Sequence, residues 1–208
     1  TIKQIPVAFG ESDIFKALTT LPGVKSAGES SGGLNIRGGG NDQNLILLNE
    51  GTIYNPSHMF GLFSSVNPEI VKNVELYKGS VPAEFGGRLS SVIEINSKEG
   101  NKSKFEGNAG IGLLTSHFNI EGPIQKDKTS FIFGARSTYS KWMIQYLPQE
   151  YKKSSADYND FNIGITHTIN TNNTLYFNGY ISGDQFRLNS DTNYRYQNKN
   201  FSLKYNHL

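Results

Sequence analysis

The chain has 208 residues, with 20 Lys+Arg against 18 Asp+Glu and a net charge of +2. That length can bury a sizeable core in one or two domains, and the balanced charge, with no basic run to track phosphates, points away from nucleic acid. Cysteine is absent, which excludes disulfides and thiolate metal sites, while Gly 22, Phe 13 and Tyr 11 suit an all-β or α/β domain.

No apolar run reaches the roughly 18 residues of a membrane helix. Barrel strands remain open, because every second residue of such a strand is polar. The opening TIKQIPVAFG lacks a basic segment followed by an apolar one. The chain is therefore either cytoplasmic or an internal piece of a longer exported protein, and the segments that follow favour the second.

Ile5-Pro6-Val7 is extended, since the residue before a proline avoids the helical region. Glu11 to Leu21 reads as a short helix with Ile14, Phe15, Ala17, Leu18 and Leu21 on one face, Ser12 as its cap and Pro22-Gly23 as its stop. Val24-Lys25-Ser26 leads into a Gly/Ser loop. Leu34 and Ile36, then Leu45–Leu48, read as two strands around GGGNDQN. No Lys-Ser/Thr pair and no helix follow those glycines, which argues against a phosphate loop. Asn67-Pro68-Glu69 predicts a helix start, with Ile70, Val71 and Val74 on its apolar face. Val74, Leu76 and Tyr77, then Val92–Ile95, read as strands.

These segments carry motifs in series: LPGV (21–24), I-R-G (36–38), LLNEG (47–51), V-E-x-x-K-G (74–79), and a Phe-Gly turn leading into V-I-x-I (85–95). In that order and spacing they resemble the plug domain of TonB-dependent outer-membrane receptors. The fuller LYKGSVPAEFGGRLSSVIEI is similar to a branch common among Bacteroidetes receptors, often preceded there by a carboxypeptidase-regulatory-like domain. Asn49-Glu50-Gly51 stands where Asp-Gly is usual, and Phe85 where Tyr is common. The resemblance implies an α/β plug over residues 1–100, followed over 101–208 by the opening strands of an antiparallel transmembrane β-barrel.

Six segments from 101 onward alternate with period two. Their apolar sets are 105–113 (odd), 118–124 (even), 131–135 (odd), 161–169, 175–181 and 201–205 (all odd). Changes of parity across even-numbered hairpin loops keep one continuous apolar surface. Pro123–Thr129 and Asn170–Asn173 are short connections; Ser140–Asp160 and Gly183–Asn200 read as long loops. Short turns at one end and long loops at the other fit an outer-membrane barrel, with the turns periplasmic and the loops extracellular. Tyr139, Trp142, Tyr146, Tyr158 and Tyr205 suit an interfacial girdle. A soluble β-sandwich also alternates and is the competing fold. Six strands cannot close around a plug, since such barrels need about 22, so the chain is expected to be a fragment of a longer receptor.

No catalytic constellation is visible, which points away from an enzyme, and no cofactor is implied. The four histidines lack metal-ligand spacing, and Ser64-Ser65 and Ser90-Ser91 have no His/Asp support. By resemblance, Arg37 and Arg88, each beside glycine at a strand end, pair with barrel carboxylates, and Glu75 joins that network. The plug apices are expected to bind ligand through Asn41, Gln43, Tyr54, Asn55, His58, Met59 and Phe60, while Leu62 and Phe63 pack the core.

The resemblance implies import of a scarce nutrient (siderophore, vitamin, glycan or peptide) across the bacterial outer membrane. TonB would drive it through an N-terminal box lying before Thr1. Outer-membrane lipid and a surface lipoprotein are further partners on this reading. The rival functions are a non-transporting plugged barrel in a surface assembly, and a soluble carbohydrate-binding β-domain.

Overall fold

The computed structural model describes residues 12–28, 32–144, 146, 148–188 and 192–208. Ile5-Pro6-Val7, Glu11 and residues 29–31 of the Gly/Ser loop lie outside these. Helix α1 (Ile14–Leu18) is shorter than its apolar pattern, and its cap is Asp13, not Ser12: the carboxylate accepts the Lys16 N–H at 2.9 Å. Ile14, Phe15, Ala17 and Leu18 are buried, whereas Leu21 falls past the helix end and is exposed. Burial pushes the Asp13 carboxyl above its ordinary pKa, against the pull of Lys16. Asparagine caps equally well and costs less to bury. Asp13→Asn is therefore expected to stay within about 0.5 kcal/mol of the parent in denaturant unfolding, and Asp13→Ala to lose about 1 kcal/mol.

Strands β1 (Val24–Ser26) and β2 (Leu34–Ile36) form an antiparallel pair. Strand β3 (Asn44–Leu48) turns into β4 (Gly51–Thr52) through Asn49 and Glu50, both at positive φ (49° and 69°), as a two-residue type I′ hairpin requires. The short β5 (Ser57–His58) and β6 (Phe63–Ser64) pair with each other. Strands β7 (Val71–Tyr77) and β8 (Ser91–Ser97) complete a four-stranded sheet of order β4-β3-β8-β7, in which β3 and β8 run parallel. Being central, β8 buries Val92, Ile93 and Ile95 in succession. Ile93 and Ile95 pack with α1, Ile36, Leu48 and Val66.

Asn67-Pro68-Glu69 does not start a helix. Asn67 Oδ1 accepts the Glu69 N–H at 3.0 Å, closing a single turn, and Val71 already pairs with Ser97. The β-branched Ile70, Val71 and Val74 favour the pleated strand over a helix.

The second half is one antiparallel meander: β9 (Glu106–Ile111), β10 (Thr115–Gln125), β11 (Thr129–Thr138), β12 (Ser155–Asn170), β13 (Asn173–Leu188) and β14 (Thr192–His207), each beside the next. Between β11 and β12 lies the short helix α2 (Lys141–Ile144). The register keeps the apolar set together: Phe118 faces Ala135, Ala135 faces Phe161, and Phe161 faces Ile181. One turn lower, Phe131, Ile165, Phe177 and Leu203 form a row.

That apolar face is bare, with Phe118 48%, Phe201 63% and Leu203 70% exposed. The opposite face is polar and buried: Asn119, Ser130, Arg136, Asp160, Asn162, Ser182, Asp184 and Asn198. A soluble sandwich has the reverse arrangement, so the competing fold is excluded.

The strands differ from expectation at one end. Residues 155–160, 183–188 and 192–200, expected as loop, extend β12, β13 and β14 to 16 residues each. Tyr158 accordingly points inward and is buried, not in a girdle, whereas Tyr146 and Tyr205 are exposed.

Candidate functional site

The N-terminal unit docks on the polar face of the six-stranded wall through hydrogen bonds, a buried ion cluster and a few aromatic contacts. Asn67 Nδ2 donates to Asn119 Oδ1 at 2.7 Å, and Asn119 in turn donates to Asn108 at 2.9 Å. Gly134 of β11 lies under this contact: an added Cβ would come within 2.9 Å of Asn67 Nδ2 and of Ile70. Asn198 donates to the Asn55 carbonyl, Asn200 to that of Leu48, Tyr196 to that of Ser57, and Tyr180 to that of Ser65 at 2.6 Å. Glu50 of the β3–β4 turn pairs with Lys204 of β14 at the exposed edge.

At the centre is a buried charged cluster. Strand β5 carries His58 to the wall, where its ring stacks on Tyr158 with centroids 4.2 Å apart and planes 8° from parallel. His58 Nδ1 is 2.6 Å from Asp184 Oδ2, and Nε2 is 3.3 Å from Asp160 Oδ2, without the alignment of a hydrogen bond. Arg136 of β11 sets Nε 2.9 Å and Nη2 2.7 Å from that same Asp160 oxygen, and Nη2 also donates to the Ser64 carbonyl at 2.8 Å. Burial works against a charge on His58, yet its contacts with Asp160 and Asp184 prevail and raise its pKa. Nε2 faces a carboxylate, not a hydroxyl, so the group is not laid out as a base activating a nucleophile.

Asp184 also accepts the Met59 N–H at 3.0 Å. It thereby holds a turn in which Met59, Phe60 and Gly61 all have positive φ (49°, 56° and 101°). That turn presents Phe60 outward, edge-on to Phe186 of β13 at 4.7 Å.

The residues expected to bind ligand divide accordingly. Tyr54 (80%) and Phe60 (51%) are exposed at the apex. His58 is fully buried and belongs to the wall contact, whereas Met59 packs beside Phe63, Leu114 and Tyr158 but stays partly exposed next to Phe60. Asn55 is tied to Asn198, with its own side chain taking the Ser57 N–H. Asn41 and Gln43 are spent on their own loop, accepting the Leu34 and Gly40 N–H groups.

Among the described residues, none of Arg37, Arg88 or Glu75 forms an ion pair with the wall. Arg37 Nη1 lies by Gly79, Arg88 donates to the Gly87 carbonyl, and Glu75 accepts from Asn73 and Tyr77, all within the N-terminal unit. The wall contact is made instead by His58 with Arg136, Asp160 and Asp184. Of these, Arg136 stood on the predicted polar side of its strand, while both aspartates lay in segments read as loop.

Residues 2–92 match the family model of the TonB-dependent receptor plug domain. The ferrienterobactin receptor of Escherichia coli (strain K12) is 29% identical over 118 residues, which is 48% of this chain and 15% of that protein. The ferric enterobactin receptor PirA of Pseudomonas aeruginosa is 23% identical over 192 residues, 79% of this chain and 24% of that one. The chain thus spans about a quarter or less of these relatives. Among solved structures, the siderophore receptor PirA from Pseudomonas aeruginosa superposes on 99% of this chain and 35% of its own, with a TM-score of 0.66 at 19% identity. The outer membrane transporter YddB from Escherichia coli covers 98% and 35%, with a TM-score of 0.65 at 16% identity. The Bacteroidetes branch finds no counterpart in these names. A helix-backed four-stranded unit docked on a wall with lipid-type polarity is therefore accounted for: residues 2–92 match the plug domain of TonB-dependent receptors, and the chain as a whole has the fold of such a plug joined to barrel strands.

Proposed function

We propose that the receptor imports a scarce nutrient through the outer membrane, with a ferric siderophore as its cargo. The carrying observation is the wall itself, apolar toward lipid and polar toward a plug held mainly by hydrogen bonds. Such a plug can be shifted without tearing open a large apolar core. The siderophore assignment rests on the relatives, two of which are named for ferric enterobactin. Tyr54 and Phe60 would meet the ligand from the plug, beneath the extracellular loop 139–154, while the turns at 126–128 and 171–172 face the periplasm. TonB would supply the work, and Arg37, Arg88 and Glu75 would face parts of the wall other than β9–β14. The protein acts on this reading as a transporter and not as an enzyme.

Glu50 and Lys204 offer a direct test, because they pair across the plug–wall boundary and are about half exposed. Cysteines placed at both positions of the full-length receptor and joined by a short bismaleimide should abolish ferric enterobactin uptake while leaving its binding intact. Undiminished uptake by the joined receptor would overturn plug movement as the transport step.

A further inference from the structure

Both ring nitrogens of His58 face carboxylates, Nδ1 toward Asp184 at 2.6 Å and Nε2 toward Asp160 at 3.3 Å. A neutral imidazole carries one N–H and would aim a lone pair at one of these anions; only the imidazolium presents a proton to each. Each carboxylate is otherwise met by a donor. Arg136 lies on Asp160 through both Nε and Nη2, and the Met59 N–H lies on Asp184.

The other polar groups around the ring supply no further positive charge. Tyr158 of β12 stacks on it, Tyr180 of β13 donates to Ser65 O, and Tyr196 of β14 donates to Ser57 O. From the plug side, Asp13 lies close enough to Arg136 to be influenced by it. With His58 charged, two cations meet two wall carboxylates in a space closed to water. With His58 neutral, a buried negative charge is left without its partner.

We propose that His58 is a proton-operated latch: as the imidazolium it fastens the plug apex to β12 and β13, and its deprotonation loosens the apex from the wall. The latch concerns how the plug is held and stands whichever nutrient is carried. Its sign follows from the raised folded-state pKa. The stabilisation is whole below the unfolded value of about 6.5, and it is lost as pH climbs through the higher folded value.

Ser65 provides the probe. It is fully buried at the latch, its Oγ has no hydrogen-bond partner, and the chain has no cysteine. In the full-length receptor with any other thiol removed, S65C would be labelled with a neutral maleimide from about pH 5.5 to about pH 9, about one unit below to about two and a half units above the reference value. Each rate is normalised to the same thiol in denatured receptor. The normalised rate should rise at least about tenfold, with a midpoint above the ordinary histidine value of about 6.5. Asp184→Asn, which keeps an acceptor for the Met59 N–H, should move that midpoint down by about one unit or more. His58→Gln should remove the dependence on pH. A flat profile, a midpoint unmoved by D184N, or a dependence surviving in H58Q overturns the latch. If H58Q does not assemble, the D184N shift alone decides.

Discussion

Replacing Arg136 with alanine is expected to weaken plug retention by about 3–5 kcal/mol, the cost of stranding one partner of a buried ion pair. Asp160 is fully buried and has the Arg136 guanidinium against one of its oxygens. The substitution also removes a donor from the Ser64 carbonyl, a plug group that would then face the wall unpaired. Urea titration of the full-length receptor, with protection of the plug from protease as the readout, measures the loss. Asp160→Ala alone should cost a comparable amount. The double variant should cost clearly less than the two singles together, because the second change removes a charge the first left stranded. A loss below about 1 kcal/mol for R136A would mean that the pair is solvated like a surface bridge.

The second large effect lies on the other face of the same wall. Ile165 stands mid-way along the outward apolar row of β12, flanked by Phe131 and Phe177. Arginine there should cost about 2–4 kcal/mol in a bilayer and lower assembly accordingly. Asn159 has the same outward parity on the same strand but lies beyond the apolar set and is exposed. Asn159→Arg should therefore stay within about 0.5 kcal/mol. Folding into lipid vesicles compares the two directly. Equal costs would mean that the apolar face does not meet lipid.

Alternation made the lower parts of the strands legible. Phe131, Phe133 and Ala135, or Phe161, Ile163 and Ile165, can only share a face in a pleated strand, and the shifts of parity foretold the pairing of Phe118 with Ala135. The upper parts carried no such mark. On β12, β13 and β14 the outward residues there are Asp157, Asn159, Gln185, Arg187, Arg195 and Gln197, so polar groups stand on both faces and the strand reads as loop. That is how Asp160 and Asp184 were missed, and with them the partners of His58. A histidine inside the apolar-aromatic run YNPSHMF did single out the right segment, but not the wall it meets. Asn67-Pro68 failed for a different reason. Its capping chemistry is real, but a capped turn can open a strand as readily as a helix when β-branched residues follow.

Met59 and Phe60 hold left-handed backbone that bulky side chains seldom adopt, at a cost of order 1–3 kcal/mol each, and the wall keeps them so through Asp184. The mouth of the receptor is thus a cocked spring. Whatever first unhooks that turn from Asp184 recovers the stored energy, so freeing the apex takes less work than the tally of broken bonds would suggest.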